Sequence, residues 1–144
     1  IPNRIAELVY FDALVPYDGE SAVGAAGETT CDDLERQVME EGEGWLIPVR
    51  HGQNDVPAKN TPHPWKTWTD PITTRNPVAL ALPRTYVRFT ADKEDGEYYE
   101  IMFRKSWARV HYGRWRLIEV DAPHQILPDP ASRAAVLLEL FEDE

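Results

Sequence analysis

From Thr85 to the C-terminus, strand-like and helix-like segments alternate, and this constrains the fold more than any other feature of the sequence. Thr85–Thr90 is a short β-favouring run bounded by Pro83 and Asp92, and Trp115–Val120 is another, ending at Asp121. Between them Tyr99, Met102, Phe103 and Ser106 recur at helical spacing. Asp129-Pro130 then opens a last helix, Asp as N-cap and Pro in the first turn, with Ala134, Leu137, Leu138 and Phe141 as its inward face. Strand–helix–strand–helix order demands parallel strands joined by right-handed crossovers. An α/β fold follows, and Leu8–Phe11, a third apolar run ending at Asp12, adds a strand to the same sheet.

The stretch from Pro16 to Pro77 breaks this pattern. It is rich in Gly, Pro and acidic residues, and it carries three of the five tryptophans, Trp45, Trp65 and Trp68. Leu34 and Val38 mark a helix there, opening after Thr30 with Asp33 three positions on. A long aromatic-bearing insertion between strands of a parallel sheet has the anatomy of a lid. Three regions result: 1–15, a strand and its loop; 16–77, the lid; and 78–144, two strands, their loops and the final helix.

Composition excludes several classes. Fifteen Lys+Arg against 25 Asp+Glu leave a net charge of −10, which disfavours a phosphate-backbone binder. The main basic group, Arg104, Lys105, Arg109, Arg114 and Arg116, interleaved with Trp107 and Trp115, reads as a solvated helix face. A single cysteine, Cys31, rules out an internal disulfide, and Asp32 and Asp33 beside it would raise a thiol pKa. His51, His63 and His111 lack metal-ligand spacing, and the acidic cluster Glu40-Glu41-Gly42-Glu43 lacks the pattern of a calcium loop, so neither a metal nor a cofactor is expected. No apolar run reaches the ~20 residues of a membrane span, and no secretory segment is visible, so a cytoplasmic setting without membrane or nucleic-acid partners is expected.

The residues with chemistry lie where a parallel sheet places them. Ligands bind beyond the carboxyl ends of such strands, and His124, in Ala122-Pro123-His124-Gln125, follows the Trp115–Val120 strand. Asp92 closes the preceding strand on the same edge. A carboxylate there would fix the imidazole tautomer and stabilise imidazolium.

Four segments carry a family resemblance: Arg4–Ser21 (RIAELVYFDALVPYDGES), His63–Ile72 (HPWKTWTDPI), Pro83–Asp92 (PRTYVRFTAD) and Trp115–Leu140. In this order they resemble the sixth strand, lid, seventh strand, and eighth strand with final helix of α/β-hydrolase-fold esterases. More narrowly, they are similar to the bacterial branch related to plant methyl esterases and hydroxynitrile lyases. The resemblance implies the C-terminal three strands of that parallel sheet, with His124 as triad base and Asp92 as triad acid. Asp95, Glu94 and Asp12 are alternatives for the acid, the last because some relatives carry it on the sixth strand. Phe11, Tyr17, Trp45, Trp65 and Trp68 would line a pocket for a small hydrophobic or aromatic ester. The branch usually has Gly where Pro123 stands, and its lyases have Lys where Gln125 stands, which counts against cyanohydrin chemistry.

The family's nucleophile sits in G-x-S-x-G, and Ser21, Ser106 and Ser132 all lack that context. The resemblance therefore implies that an N-terminal portion, as a separate or cleaved chain docked along residues 7–12, supplies the serine and the oxyanion hole. A serine esterase is the expected function. A non-catalytic small-molecule binder, or a lyase or cyclase using the His–Asp pair, are the alternatives.

Overall fold

A computed structural model describes residues 2–49, 61–91, 96–122 and 124, with 131, 134, 135 and 137–139 from the final helix. After a 3-10 turn at Pro2–Arg4, the order is β1 (Leu8–Phe11), α1 (Ala22–Ala25), α2 (Glu28–Glu40), β2 (Leu46–Ile47), β3 (His63–Pro64), α3 (Lys66–Thr69), α4 (Pro77–Leu80), β4 (Arg84–Phe89), α5 (Gly96–Tyr112) and β5 (Arg116–Val120). The fold mixes helices with a small parallel sheet of three strands in the order β1-β4-β5. Leu8 pairs with Arg84 and Phe11 with Val87; Thr85 pairs with Arg116 and Phe89 with Val120.

The two-residue alternation of β4 divides the core. Tyr86 points to one face, where it meets Val110 and Trp107 of α5, Val15, Tyr10 and Trp115. Val87 and Phe89 point to the other, against Val9, Phe11, Ile118, Val120 and Leu137 of the final helix. Tyr86, Val87 and Thr85 are fully buried, as expected of a central parallel strand covered on both faces. Each such apolar side chain stabilises the fold by roughly 1.5–3 kcal/mol. Arg84 and Arg88 share the α5 face with Tyr86 and keep their charge there by lying over aromatic rings. The Arg84 guanidinium is 5.3 Å from the Trp115 ring centre and that of Arg88 4.0 Å from Trp107.

α5 ends where Gly113 turns the chain into β5. A Cβ at Gly113 would come within 2.8 Å of the Arg109 carbonyl oxygen and 2.7 Å of the Trp115 ring, so the close approach requires glycine. Two polar anchors tie α5 to the loop after β1. The fully buried Ser106 Oγ accepts from Val15 N at 2.9 Å, and Arg109 reaches the Val15 carbonyl and both oxygens of Glu20.

Several sequence expectations change. α2 begins at Glu28 with Gly27 as an N-cap that makes no side-chain bond, so Thr30 lies inside the helix and no capping box forms. A shorter helix, α1, precedes it, capped by Ser21 Oγ accepting from Gly24 N at 3.2 Å. In the final helix Leu137 packs inward while Ala134 and Leu138 are exposed; Phe141 and the Asp129-Pro130 opening lie outside the described residues. The basic group is not uniformly a solvated face, since Arg109 is largely buried against Glu20.

The region between β1 and β4 is built of α1, α2, the antiparallel pair β2–β3, α3 and α4. Its described part joins the core through a cluster of Ala26, Cys31, Met102 and Phe103, with Trp68, Tyr98 and Tyr99 packed around it. Cys31 is a buried thiol that donates to the Val23 carbonyl at 3.4 Å.

Candidate functional site

The candidate site begins with the backbone of Asp12. The residue follows β1, and its N–H donates to the Val87 carbonyl at 2.9 Å, extending the ladder by one step. It then takes a positive φ of 38°. That region costs a non-glycine residue of the order of 1–3 kcal/mol, though Asp tolerates it better than most. Such strain persists only where the surroundings enforce it, and here the carboxylate is held on both oxygens. Oδ1 accepts from Phe89 N at 3.3 Å, and Oδ2 lies 3.1 Å from His124 Nδ1.

Asp12 is therefore the partner of His124 among the described residues. Asp92, Glu94 and Asp95, the other carboxylates weighed for this role, lie outside the described residues. The contact brings three strand ends together: Asp12 from β1, Phe89 from β4, and His124 from the loop after β5. This is the carboxyl edge of the sheet, where parallel α/β folds place their sites. The loops stay in register beyond the strands, with Thr90 N donating to the Val120 carbonyl and Ala91 N to that of Ala122.

Burial gives the pair its character. The Asp12 side chain is 3% exposed and that of His124 27%. An ionised carboxylate only accepts, so Nδ1 donates the hydrogen of this contact, and in a neutral ring Nε2 is then the acceptor nitrogen. Two rings from successive turns of α5 hold the other side of the imidazole. Tyr99 is 4.3 Å from it, centroid to centroid, and Phe103 5.2 Å, both tilted. Near Asp12 lies Tyr86, whose hydroxyl donates to the Ala13 carbonyl at 3.0 Å. Burial, and then the nearby Asp12 charge, push its phenol well above the ordinary tyrosine range, so it stays a neutral donor.

The aromatic residues expected to line a pocket are dispersed. Phe11 stacks on Phe89 at 5.9 Å on the final-helix face of the sheet, directly before Asp12. Trp68 packs on the cluster that contains Phe103 and Tyr99, so α3 reaches the His124 neighbourhood. Trp65 is half-buried at the start of α3, its N–H donating to the Trp45 carbonyl, while the Trp45 side chain is exposed. Tyr17 lies over the Arg109 guanidinium at 4.1 Å, in a groove that does not include His124. Tyr99 and Phe103 stand against the imidazole instead. In the sequence they read only as the inward face of a helix, because ring stacking on a residue more than twenty positions away leaves no local pattern.

The described serines are both engaged. Ser21 Oγ caps α1 and Ser106 Oγ accepts from Val15 N; Ser132 lies outside the described residues. Among the described residues no group of three or more His, Cys, Asp or Glu could hold a metal ion, and no helix is long and apolar enough to cross a membrane.

Compared with known proteins, the chain matches no family model, and no curated protein or solved structure is significantly similar to it. The site's own geometry is then the ground for a functional reading.

Proposed function

We propose that this chain carries the acid–base half of a carboxylic ester hydrolase of α/β-hydrolase type, with His124 as general base and Asp12 as the residue that orients it. The observation that carries the reading is the Asp12–His124 contact at the carboxyl edge of a parallel sheet. With Nδ1–H given to Asp12, the lone pair on Nε2 accepts the proton of a serine hydroxyl as its oxygen adds to the ester carbonyl. The imidazolium, facing the Asp12 carboxylate, then returns that proton to the departing alcohol. Water attack on the acyl-enzyme repeats the transfer in the same sense. The serine and oxyanion donors come from a complementary segment docked along the free edge of β1. The aromatic surroundings of His124, from Tyr99, Phe103 and Trp68, suit a small hydrophobic or aromatic ester.

The test is hydrolysis of a p-nitrophenyl ester by the complete gene product. His124→Ala is expected to lower kcat by about 10³-fold or more, and Asp12→Asn by about 10²–10⁴-fold. Asp92→Asn should leave it near the parent value. Unchanged turnover in His124→Ala overturns the proposal. Loss in Asp92→Asn with parent-like Asp12→Asn returns the acid role to Asp92.

A second reading, a non-catalytic small-molecule binder on the same scaffold, is favoured by the engagement of Ser21 and Ser106 in backbone bonds. It predicts ligand binding with no ester turnover.

A further inference from the structure

The run that leaves β1 is fastened step by step. Asp12 N donates to the Val87 carbonyl at 2.9 Å, and the Tyr86 hydroxyl donates to the Ala13 carbonyl at 3.0 Å. Further on, Val15 N donates to Ser106 Oγ at 2.9 Å. The first two bonds bracket Asp12: one fixes the peptide that enters its Cα, the other the carbonyl of the residue that follows. Between them the Asp12 backbone takes its positive φ of 38°. A released non-glycine residue leaves that region, because its Cβ crowds the neighbouring carbonyl there. The bend persists because both ends are held.

Among the described residues, β4 supplies the bonds around this bend. Val87 offers its carbonyl, Phe89 its N–H to Asp12 Oδ1 at 3.3 Å, and Tyr86 its hydroxyl. The first two are backbone groups that other residues at those positions would offer as well. The third exists only because position 86 is tyrosine. Tyr86 is the bulkiest of the fully buried side chains and lies among Val15, Val110, Trp107 and Trp115. Packing in a central parallel strand asks only for an apolar ring there, and phenylalanine would supply one. A hydroxyl carried into such surroundings is costly unless it is bonded, so its bond to Ala13 has to repay its presence. Burial pushes the phenol far above the ordinary tyrosine range, so the donor hydrogen stays in place.

We propose that Tyr86 is a positioning residue for the site: its hydroxyl, acting through the Ala13 carbonyl, keeps Asp12 in the left-handed conformation from which Oδ2 meets His124 Nδ1 at 3.1 Å. This rests on the reading of Asp12 and His124 as an acid–base pair and adds the side chain that sets their geometry. Without the hydroxyl, the half-buried Ala13 carbonyl turns toward another donor, and Asp12 relaxes to negative φ. Its Oδ2 then swings away from the imidazole. Nδ1 loses its acceptor, and the ring proton redistributes between the two nitrogens, because the hydrogen bond at one nitrogen selects the tautomer.

The experiment uses the complete gene product, isotopically labelled at the histidine nitrogens, in NMR at a pH where the imidazole is neutral. The His124 signals are assigned by their loss in His124→Gln. In the parent the proton should sit on Nδ1. In Tyr86→Phe, which keeps the ring and so the packing, at least about half of the population should move to the Nε2–H tautomer. Its kcat for a p-nitrophenyl ester should fall about tenfold, with KM within about twofold of the parent. Val110→Ala takes bulk from the same cluster but spares the hydroxyl, so it should lower stability and leave the tautomer and KM where they were. An unchanged tautomer in Tyr86→Phe overturns the proposal. So does an equal shift in Val110→Ala, since that assigns the effect to a loosened core. The two readouts also separate this proposal from the catalytic one. A tautomer shift in Tyr86→Phe with no ester turnover even in the parent sinks the catalytic assignment alone, and His124-dependent turnover with a parent-like tautomer in Tyr86→Phe sinks the positioning role alone.

Discussion

Asp12 does structural and chemical duty with the same carboxylate. Its left-handed backbone turns the side chain beneath the end of β4, so that one oxygen satisfies Phe89 N and the other faces His124. Asp12→Asn is nearly the same size but offers only one acceptor oxygen, so either Phe89 N or His124 loses its partner. Asp12→Gly relieves the backbone and removes the carboxylate. We expect Asp12→Gly to lose less stability than Asp12→Ala, because glycine adopts positive φ freely, while both lose the His124 contact; urea unfolding of the two variants checks this. Around the imidazole, Tyr99 and Phe103 supply shape more than charge. Phe103→Ala should cost about 3–5 kcal/mol in urea unfolding.

At the scale of elements, α5 is the beam on which the site rests, since it carries Tyr99 and Phe103 at one end and the anchors to the β1 loop further along. Ser106→Ala leaves the buried N–H of Val15 without its acceptor, which should cost about 1–3 kcal/mol in chemical denaturation. The Glu20–Arg109 pair is the other anchor. Hydrogen bonds from Arg109 hold the Glu20 carboxyl below the ordinary glutamate range. A carboxylate with a depressed folded-state pKa contributes stability above its unfolded pKa, and that contribution is lost as pH falls through the folded one. Glu20→Gln should therefore lower Tm at pH 7, and the difference from the parent should close as the pH drops below the glutamate range. A constant Tm difference down to pH 3 would show that the pair acts through packing and not through charge.

At the scale of the whole molecule, the sheet presents a finished edge of chemistry and an unfinished edge of hydrogen bonds. Asp12 and His124 meet at the carboxyl end, while β1 leaves one side unpaired among the described residues. On the proposed function, the complementary segment that brings the serine and the oxyanion donors belongs along that side.

Much of this was legible in the sequence. The three strands and α5 follow from short β-favouring runs and one helical period, because period is a local property that the chain carries with it. His124 stood out for the same reason: it follows a parallel strand, and strand ends are where such sheets gather their chemistry. The start of α2 differs from the sequence expectation, since Thr30 and Asp33 imitate a cap whose place is taken by Gly27, three residues earlier. Asp92, the neighbour of His124 by strand order, lies outside the described residues. Asp12, one strand further away, reaches the histidine with a positive φ and an oxygen that accepts from Phe89 N. A backbone reversal of that kind leaves no periodic trace, and neither does a ring stacked on an imidazole. Composition and spacing determined that this protein builds a parallel α/β sheet with a histidine at its carboxyl edge. That the Asp12 carboxylate meets that histidine, and that Tyr99 and Phe103 stand against its ring, only the tertiary structure decided, because these are contacts between residues far apart in sequence.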